Sequence, residues 1–366
     1  MAEAPQTSEI TLESIALESI GGWPELISSL LDRRDLDAAH ARAAMTNILS
    51  GSATPAQLIG FVVALRAKGE TPEELSGLLD AVLEAATLVP LDEATRERAI
   101  DIVGTGGDRS HSINVSTMSA IVVAGAGVPV CKHGARAASS QCGTADVLEA
   151  LGVAVELSPE GVKQCVERAG MGFCLAARYH PAFRFAAPSR REIGVPTVFN
   201  LLGPMANPGR VKRQLIGVAN PLVAERMLAS LRLHGSKSLW VVHGGGLDEL
   251  TTTGPSTVLE LRGGQVRTFT VEPVSLGLAP AISEELVGGT PAFNADVVRR
   301  VMAGEQGAHR NIVVLNAGAG LVVADVASSL EEGVAMAAES IDSGRAESTL
   351  AKLISESQAA LAEFGA

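Results

Sequence analysis

The chain has 366 residues, of which 46% are hydrophobic and 19% charged, and this balance predicts a folded protein with about two domains and a large buried core. Its formal net charge of −12 at pH 7 argues against nucleic acid or an anionic membrane as a partner. The sequence offers neither a secretory leader pattern nor a stretch of about 20 uncharged apolar residues, so we expect a cytoplasmic protein without a membrane segment.

The first quarter of the chain carries helical patterns only. Residues 1–12 are polar, and we expect a frayed terminus there, followed by a small all-helical domain over residues 13–95. Thr54 is placed to cap a helix that starts with proline and ends at Gly69. The sequence TPEE at 71–74 predicts a capping box for the next helix.

From residue 96 onward, short β-branched runs alternate with helical patterns. Such alternation predicts a larger α/β domain over residues 96–366, with a central mixed, mostly parallel sheet flanked by helices. The predicted strands are residues 100–103, 128–131, 239–243 and 311–315, with a hairpin of 258–261 and 265–271 around Gly263-Gly264, and two of the predicted helices are 158–169 and 221–233.

An apolar run at 99–103 leads directly into GTGGD at 104–108, which places three glycines and a carboxylate after a predicted strand. Glycine lets backbone N–H groups converge on an anion, and a helix that begins with NVST at 114–117 adds the positive end of its dipole. A plain structural turn explains this stretch equally well when it is taken alone. The spacing fits neither the dinucleotide-binding GxGxxG nor the Walker GxxxxGK[ST] sequence.

A second anion-binding stretch, KHGARAASS at 132–140, continues into GTAD at 143–146. Two such stretches close together imply a ligand with more than one phosphate. We expect Lys132 and Arg136 to contact phosphate, with surface ion pairs as the alternative. His133 has no base partner nearby in the sequence and is not assigned as a general base.

A third element, HGGGLDE at 243–249, follows another predicted strand, where open α/β sheets bind their ligands. The adjacent carboxylates of Asp248 and Glu249 suit a divalent cation held through oxygen, and Mg²⁺ with a polyphosphate is the simplest such pair. A solvated acidic turn is the alternative.

The segment over residues 179–207 is rich in arginine, proline and aromatic residues and poor in strand pattern. Its length indicates a functional connection, and we expect part of 179–210 to join the helical domain. Its side chains suit an aromatic acid, with a guanidinium on the carboxylate and an aromatic face on the ring, and a cationic surface patch is the alternative. Spacing does not tell which arginine faces the ligand; the residues are Arg184, Arg190, Arg191, Tyr179, His180 and Phe183.

The chain has four cysteines, and their spacing matches no metal-binding or redox pattern. We therefore expect reduced thiols that are buried or incidental. They are Cys131, Cys142, Cys165 and Cys174.

Taken together, these stretches resemble the anthranilate phosphoribosyltransferase family of tryptophan biosynthesis, whose fold relatives are the pyrimidine nucleoside phosphorylases. The resemblance runs from about residue 51 to residue 344. It implies transfer of the phosphoribosyl group of 5-phosphoribosyl 1-pyrophosphate to the amine of anthranilate, by positioning and metal assistance rather than by a catalytic side chain. It also implies a homodimer formed through the helical domain. The matching blocks are GTGGD at 104–108, NVST at 114–117, KHGARAASS at 132–140, ADVLEALGV at 145–153, RREIGVPTVFNLLGPMANP at 190–208 and HGGGLDELTTTGP at 243–255.

Position by position, the resemblance implies three sets of site residues. Mg²⁺, expected as two ions, is assigned to Ser116, Asp248 and Glu249, and anthranilate to Gly104, Ala135, His180, Phe183 and Arg190. Phosphoribosyl pyrophosphate is assigned to Gly104, Gly107, Asp108, Ser112, Asn114, Val115, Ser116, Thr117, Lys132, His133, Gly134, Ala135, Arg136, Ala137, Ala138, Ser139, Ser140 and Thr144.

Two positions depart from the family pattern. The family usually has asparagine, in KHGNR, where this chain has Ala135, and often tyrosine where it has Phe183. The asparagine contacts anthranilate in the family, and losing such an amide typically costs about 1–3 kcal/mol when a buried partner stays unpaired. A relative with the same donor but another aromatic amine as acceptor is therefore one alternative. A non-catalytic relative that binds nucleic acid is the other, and the net charge opposes it.

Overall fold

The structure is a computed structural model that describes residues 16–137 and 141–365. The frayed terminus predicted at residues 1–12 lies outside these ranges, as do Ala138, Ser139 and Ser140 of the second anion-binding stretch. Among the helices within these ranges, none combines the length and apolar character needed to span a membrane.

The described chain begins with a small helical unit whose helices share one core. Both predicted caps are confirmed. The side chain of Thr54 accepts a hydrogen bond from the backbone N–H of Gln57, and that of Thr71 accepts one from the backbone N–H of Glu74. In return, the side chains of Gln57 and Glu74 accept from the backbone N–H groups of the two threonines. The elements are the 3₁₀ turn Leu17–Ile20 and helices α1 (Gly22–Leu31), α2 (Ala38–Leu49), α3 (Pro55–Lys68) and α4 (Pro72–Glu84).

The larger unit is built on one mixed sheet, which in the described residues has seven strands in the order β3-β2-β1-β4-β5-β6-β7. The strands from β3 to β5 in this order run parallel to one another, whereas β6 is antiparallel to β5 and β7 to β6, which confirms the mixed, mostly parallel sheet. The strands are β1 (Ile100–Gly104), β2 (Val130–Gly134), β3 (Met171–Leu175), β4 (Arg213–Gly217), β5 (Ser238–His243), β6 (Ser256–Arg262) and β7 (Gln265–Val271).

Helices cover both faces of the sheet. On one face, Leu215 and Trp240 belong to a core shared with the later helices, and on the other, Ile216 and Val241 join the core of the helical unit. Segment 179–207 is largely helical and contributes side chains to that second core, so it packs on the helical unit. The helices are α5 (Glu93–Arg98), α6 (Val115–Gly125), α7 (Thr144–Leu151), α8 (Pro159–Ala169), α9 (Ala176–Tyr179), α10 (Ala187–Ile193), α11 (Val198–Met205), α12 (Ala224–Leu233), α13 (Pro291–Met302), α14 (Ala308–Val323), α15 (Leu330–Asp342) and α16 (Arg345–Phe364), with 3₁₀ turns at Pro181–Phe185, Pro221–Val223, Pro273–Leu276 and Ser283–Leu286.

The order of the strands decides where a ligand can bind. β1 lies between β2 and β4, because the chain adds β2 and β3 on one side of β1 and then crosses back to add β4 and β5 on the other, and Gly104 pairs with Gly217 at the carboxyl ends of β1 and β4. Such a reversal of strand order opens a crevice outside the strand ends. The three stretches singled out in the sequence all converge there.

One predicted strand is wrong, since residues 311–315 lie inside α14. That helix is buried along most of its length, and a short apolar run with no polar side cannot be told from a buried strand by its pattern. Gly318 confirms the helical packing, because a Cβ there would lie 2.7 Å from the backbone nitrogen of Val334 in α15.

A second predicted strand has different boundaries in the structure. The strand predicted at 128–131 is β2, which runs instead to Gly134, because its backbone pairs with β3 as far as Leu175. Lys132 and His133 therefore belong to a strand end rather than to a loop. The helix predicted over 221–233 starts as a 3₁₀ turn before α12. The hairpin around Gly263-Gly264 is confirmed, with φ angles of 56° and 77° at the two glycines.

Candidate active site

A cleft of about 580 Å³ lies at the carboxyl ends of β1, β2 and β5, and we call it the strand-end cleft. It is lined by every described residue assigned to phosphoribosyl pyrophosphate except Thr117. It is also lined by Asp248 and Glu249, which are assigned to Mg²⁺. Thr117 lies behind its surface, fully buried, with Oγ1 3.4 Å from Oγ1 of Thr144. The predicted residues that line it are Gly104, Gly107, Asp108, Ser112, Asn114, Val115, Ser116, Lys132, His133, Gly134, Ala135, Arg136, Ala137, Thr144, Asp248 and Glu249.

The GTGGD loop forms one wall through its backbone. Gly106 and Gly107 have φ angles of 68° and 79°, and the space where a Cβ would stand is open at both. Arg109 and His111 also have positive φ, which is uncommon for residues with a side chain. Asp108 is held by the backbone N–H and hydroxyl of Ser110, at 3.2 and 2.7 Å. The loop therefore keeps a concave backbone surface turned toward the cleft.

Lys132 is buried at the base of this cleft, with 1% of its surface exposed. Its ammonium donates to the backbone carbonyl of Ile102 and to Oγ of Ser116, the latter at 3.3 Å. Burial lowers the pKa of Lys132, against the attraction of Asp101, Glu249 and Asp248. A surface ion pair is excluded for this residue, and its amine is held in place inside the cleft by these two hydrogen bonds.

Arg136 differs, because it stands at the rim with 44% of its side chain exposed. Its guanidinium pairs with Glu149, at 2.8 Å, and with Glu156, at 3.2 Å. The ion-pair alternative therefore describes Arg136 in this structure, although its side chain still lines the cleft.

The acidic end of the cleft is electrostatically strained. Burial and the neighbouring charge of Asp108 raise the pKa of Asp248 to about 7. Burial and Asp248 raise the pKa of Glu249 well above its usual range, while Lys132 opposes that change. A divalent cation would relieve this repulsion, and carboxylate oxygens are ligands that Mg²⁺ prefers.

The protein alone does not complete a metal site. Within residues 16–137 and 141–365, no three His, Cys, Asp or Glu side chains are grouped so as to hold an ion. Mg²⁺ commonly keeps substrate phosphate oxygens among its ligands. The residues present thus fit a metal that arrives with, or is completed by, a polyphosphate.

Aromatic rings form a row beside the cleft. The ring centroids of His133 and His180 are 5.0 Å apart, those of His180 and Phe183 5.3 Å, and those of Phe183 and Phe199 5.6 Å. The guanidinium of Arg190 lies over Phe199, 4.9 Å from its centroid. A flat ligand could continue this row, because offset and edge-to-face contacts are favoured among aromatic rings.

The two histidines of the row are neutral at pH 7. Burial lowers the pKa of His133 well below its usual range and that of His180 to about 4. Each ring has one nitrogen near a backbone carbonyl, of Gly203 at 3.0 Å and of Ala206 at 2.9 Å. The other nitrogen, Nε2 of His133 and Nδ1 of His180, is buried and has no hydrogen-bond partner among the described residues.

The three arginines of segment 179–207 differ in their burial. Arg190 is half-buried against Phe199, whereas Arg184 and Arg191 are exposed. Arg184 stacks on Phe185 instead, with 4.5 Å from its guanidinium to the ring centroid. Arg190 is the member of the three that lies in the aromatic row.

Sequence reasoning missed several residues of this region, of which Asp101 and Asn200 are two. Asp101 is fully buried in β1, where Oδ1 accepts from the backbone N–H of His133 at 3.1 Å and Oδ2 from Nδ2 of Asn207 at 2.7 Å. A lone carboxylate in an apolar strand was the available signal. Asn200 also lines the cleft, and its Oδ1 accepts from the backbone N–H of Thr197.

All four cysteines are buried thiols rather than disulfides, which agrees with the expectation from their spacing. Burial raises the pKa of Cys142 to about 11 and that of Cys165 to about 12. These two thiols are protonated at neutral pH and have no nucleophilic character there.

Comparisons with known proteins converge on one family. Residues 96–347 match the family described as "Glycosyl transferase family, a/b domain", and residues 24–86 match "Glycosyl transferase family, helical bundle domain". An anthranilate phosphoribosyltransferase from Salinispora arenicola (strain CNS-205) is 50% identical over 337 residues, covering 91% of this chain and 96% of that protein.

Solved structures agree. The crystal structure of anthranilate phosphoribosyltransferase from Thermus thermophilus is similar with a TM-score of 0.86 and 40% identity, covering 91% of this chain and 99% of that one. The enzyme from Saccharomyces cerevisiae in complex with PRPP and Mg is similar with a TM-score of 0.83 and 27% identity, covering 92% and 98%.

Proposed function

This chain belongs to the anthranilate phosphoribosyltransferase family, and we propose that the strand-end cleft is where it performs the family's reaction. It transfers the phosphoribosyl group of 5-phosphoribosyl 1-pyrophosphate to the amine of anthranilate, which gives N-(5-phosphoribosyl)anthranilate and pyrophosphate in tryptophan biosynthesis. The observation that carries the proposal is the convergence of a glycine-lined loop, a buried lysine and two buried carboxylates on one cleft.

The donor's phosphates bind between the GTGGD loop and the end of β2. Support comes from the open backbone surface at Gly106 and Gly107 and from the buried ammonium of Lys132. The amino end of α6, at Val115, lines the same cleft and adds the positive end of a helix dipole. These groups are fixed before the substrate arrives, which is the condition for effective stabilisation of developing charge.

Two Mg²⁺ ions would accompany the donor, held by Asp248, Glu249 and Ser116, which lie together because the backbone N–H of Ser116 donates to the Glu249 carboxylate. The ions would offset the negative charge that develops on the departing pyrophosphate. The repulsion between the buried carboxylates supports this assignment, since it leaves a site that favours a cation.

Anthranilate stacks in the aromatic row, with its carboxylate on Arg190. The half-buried guanidinium over Phe199 supports this placement. Gly104, Ala135, His180 and Phe183 complete the contacts that the family resemblance assigns to this substrate.

The bond from ribose C1 to the pyrophosphate oxygen breaks with oxocarbenium character, and its electron pair leaves with pyrophosphate. The amine nitrogen bonds to C1 from the opposite face and then loses a proton. That nitrogen becomes acidic as it bonds, so a strong base is unnecessary. The residues act by placing the two substrates, a contribution that reaches about 7–11 kcal/mol in well-oriented reactions.

We further propose a cytoplasmic homodimer that forms through the helical unit, over residues 13–95 with part of 179–210. Exposed apolar side chains on that unit, Leu31 with 69% and Val63 with 43% of their surface accessible, support a packing face there. Light scattering coupled to gel filtration tests the dimer, and a Leu31→Asp/Val63→Asp variant that stays dimeric contradicts the chosen face.

Loss of anthranilate fluorescence on mixing with phosphoribosyl pyrophosphate and Mg²⁺, repeated with the metal chelated, tests the activity. We expect loss only with the metal. If calorimetry shows donor binding but fluorescence persists, the acceptor is another aromatic amine, the alternative that Ala135 raises. If the donor does not bind either, the assignment of the cleft is wrong.

A further inference from the structure

A second cleft of about 460 Å³ lies at the amino end of β4, and we call it the rear cleft. It opens between α4 of the helical unit and the loop that leads into β4, and it shares no lining residue with the strand-end cleft. None of the activity described above uses it. Its lining consists of Arg42, Leu79, Asp80, Leu83, Glu84, Leu88, Met205, Asn207, Arg210, Val211, Lys212, Gln214, Leu231, His234 and Ser236.

One part of the rear cleft is apolar. Leu83 and Leu88 line it with partly accessible side chains, 38% exposed in the case of Leu88, above the buried side chains of Leu79 and Leu231. Such side chains offer a surface on which the apolar part of a ligand is removed from water, at about 25 cal/mol per Å². The cleft therefore favours an organic ligand over a bare inorganic ion.

Two cationic side chains line the cleft without a carboxylate of their own. The half-buried ammonium of Lys212 donates to the backbone carbonyl of His234 at 3.2 Å, and in the described chain no ion pair joins Lys212 or Arg210 to an acid. Burial lowers the pKa of Lys212, the more distant carboxylate of Glu97 opposes that change, and Arg210 adds to it. An anion placed between these two groups would be stabilised by both.

Arg210 is also held in an unusual backbone conformation. Its φ of 48° lies in the left-handed region, which residues other than glycine adopt rarely and at an energetic cost. The backbone N–H of Arg210 donates to the carbonyl of Asn207 at 2.9 Å, which holds the turn. The turn directs the chain so that Arg210 and Lys212 both reach the same cleft.

One of the two acids of the rear cleft is in an ion pair. Glu84 accepts from Arg42 at 2.7 Å, whereas Asp80 lies 3.6 Å from Nδ1 of His234, a contact that is an ion pair only when the imidazole is protonated. They limit the charge that a ligand can carry, because a doubly charged group such as phosphate would meet these carboxylates across the cleft. A single negative charge matches the two remaining cations better.

We propose that the rear cleft binds a small organic monocarboxylate, whose carboxylate group bonds to Lys212 and Arg210 and whose apolar body packs on the leucines of the apolar part. The ammonium provides up to three donors, of which one is used by His234, and the guanidinium binds a carboxylate with two parallel hydrogen bonds. The rear cleft shares no lining residue with the strand-end cleft, where the substrates are proposed to bind. Binding in the rear cleft can therefore be measured without turnover.

Calorimetric titration with benzoate tests the proposal, with benzamide as the uncharged ligand of the same shape. The proteins are the full chain, Lys212→Met, the surface control Lys352→Met and Arg190→Ala, which removes the cation of the acceptor site. Benzoate resembles anthranilate, so only the binding that survives Arg190→Ala belongs to the rear cleft. We expect that binding to weaken about tenfold or more in Lys212→Met, since bonds to a charged group are worth that much, and to stay unchanged in Lys352→Met.

Several results would overturn the proposal: equal benzoate affinity in Lys212→Met and the unchanged chain, loss of all binding in Arg190→Ala, benzamide binding as tightly as benzoate, or inorganic phosphate binding more tightly than benzoate. If Lys212→Met does not fold, Arg210→Asn replaces it, because asparagine tolerates the left-handed φ at that position. The same weakening is expected there, and unchanged affinity is equally contrary.

Discussion

Gly104 leaves the space that Asp248 occupies: a Cβ atom on Gly104 would lie 2.2 Å from Oδ2 of Asp248. The same oxygen accepts a hydrogen bond from the backbone N–H of Gly106 at 2.7 Å, so the GTGGD loop and the acidic loop are fitted to each other across 142 residues of chain. The wall of the cleft proposed to bind phosphate and the end proposed to hold the metal are therefore one packed unit.

Replacing Gly104 by alanine should displace Asp248 and weaken the metal site. Overpacking of this kind typically costs about 1–3 kcal/mol, so we expect kcat/KM to fall about tenfold or more, with a higher Mg²⁺ concentration at half-maximal rate. Gly254→Ala is the matched control, because nothing lies within 4 Å of its Cβ position. Equal Mg²⁺ dependence in the two variants would contradict the relationship.

The double change Asp248→Asn/Glu249→Gln should separate activity from stability. Amides keep the shape but remove the charge, so we expect turnover to fall on the order of 10² or more, the scale of losing fixed charge stabilisation. The thermal midpoint with chelator present should rise or stay equal, because the repulsion between buried carboxylates is gone. Turnover measured by anthranilate fluorescence and a melting curve decide both parts; unchanged turnover would refute the metal assignment.

His180 should make the protein sensitive to acid. Burial lowers its pKa in the folded state to about 4, whereas the unfolded chain takes up the proton near pH 6.5. The contribution of His180 to the free energy of unfolding is therefore fully present above pH 6.5 and is lost as the pH falls toward 4. At pH 5 the loss is about 2 kcal/mol. The free energy of unfolding in urea should differ less between pH 7 and pH 5 in His180→Gln than in the unchanged chain. In the surface variant His40→Gln the difference should equal that of the unchanged chain. An equal difference in all three proteins would argue against this origin.

Ala135→Asn should restore the amide that the family pattern has and this chain lacks. Ala135 is exposed on the strand-end cleft, so the new side chain has room. We expect KM for anthranilate to fall about tenfold, the value of one hydrogen bond to a charged group, while KM for phosphoribosyl pyrophosphate serves as the internal control. If another aromatic amine is used better than anthranilate before the change and worse after it, the alternative acceptor is supported.

Asn207→Ala should destabilise the fold strongly. Its side chain is buried, donates to Asp101 and to the backbone carbonyl of Cys131, and accepts from Gly209 at 2.8 Å. Removing it leaves a buried carboxylate short of a donor, which we expect to cost about 2–5 kcal/mol in denaturant unfolding. Asn220→Ala, which loses only an exposed cap at Leu222, should cost about 1 kcal/mol. Similar losses in the two variants would be contrary to this reasoning.

Local chemistry was predictable wherever a structure depends on neighbours in the sequence. The caps at Thr54 and Thr71 join residues three apart, and the hairpin at Gly263-Gly264 needs only the positive φ of its glycines. Which segments form strands was harder to predict, since β3 and β4 were not predicted and residues 311–315 belong to α14. Those short apolar runs are buried on all sides, and burial on all sides erases the periodicity that distinguishes strand from helix.

The sequence by itself determined the family, the mixed α/β fold with its helical unit, and which residues are candidates for binding phosphate and metal. Tertiary structure alone decided that Lys132 is buried while Arg136 pairs at the rim, that Arg190 rather than Arg184 or Arg191 joins the aromatic row, and that Asp101 holds His133. The physical reason is that glycine turns, caps and charges act over a few residues, whereas desolvation and the pairing of charges depend on which distant segments the fold brings together.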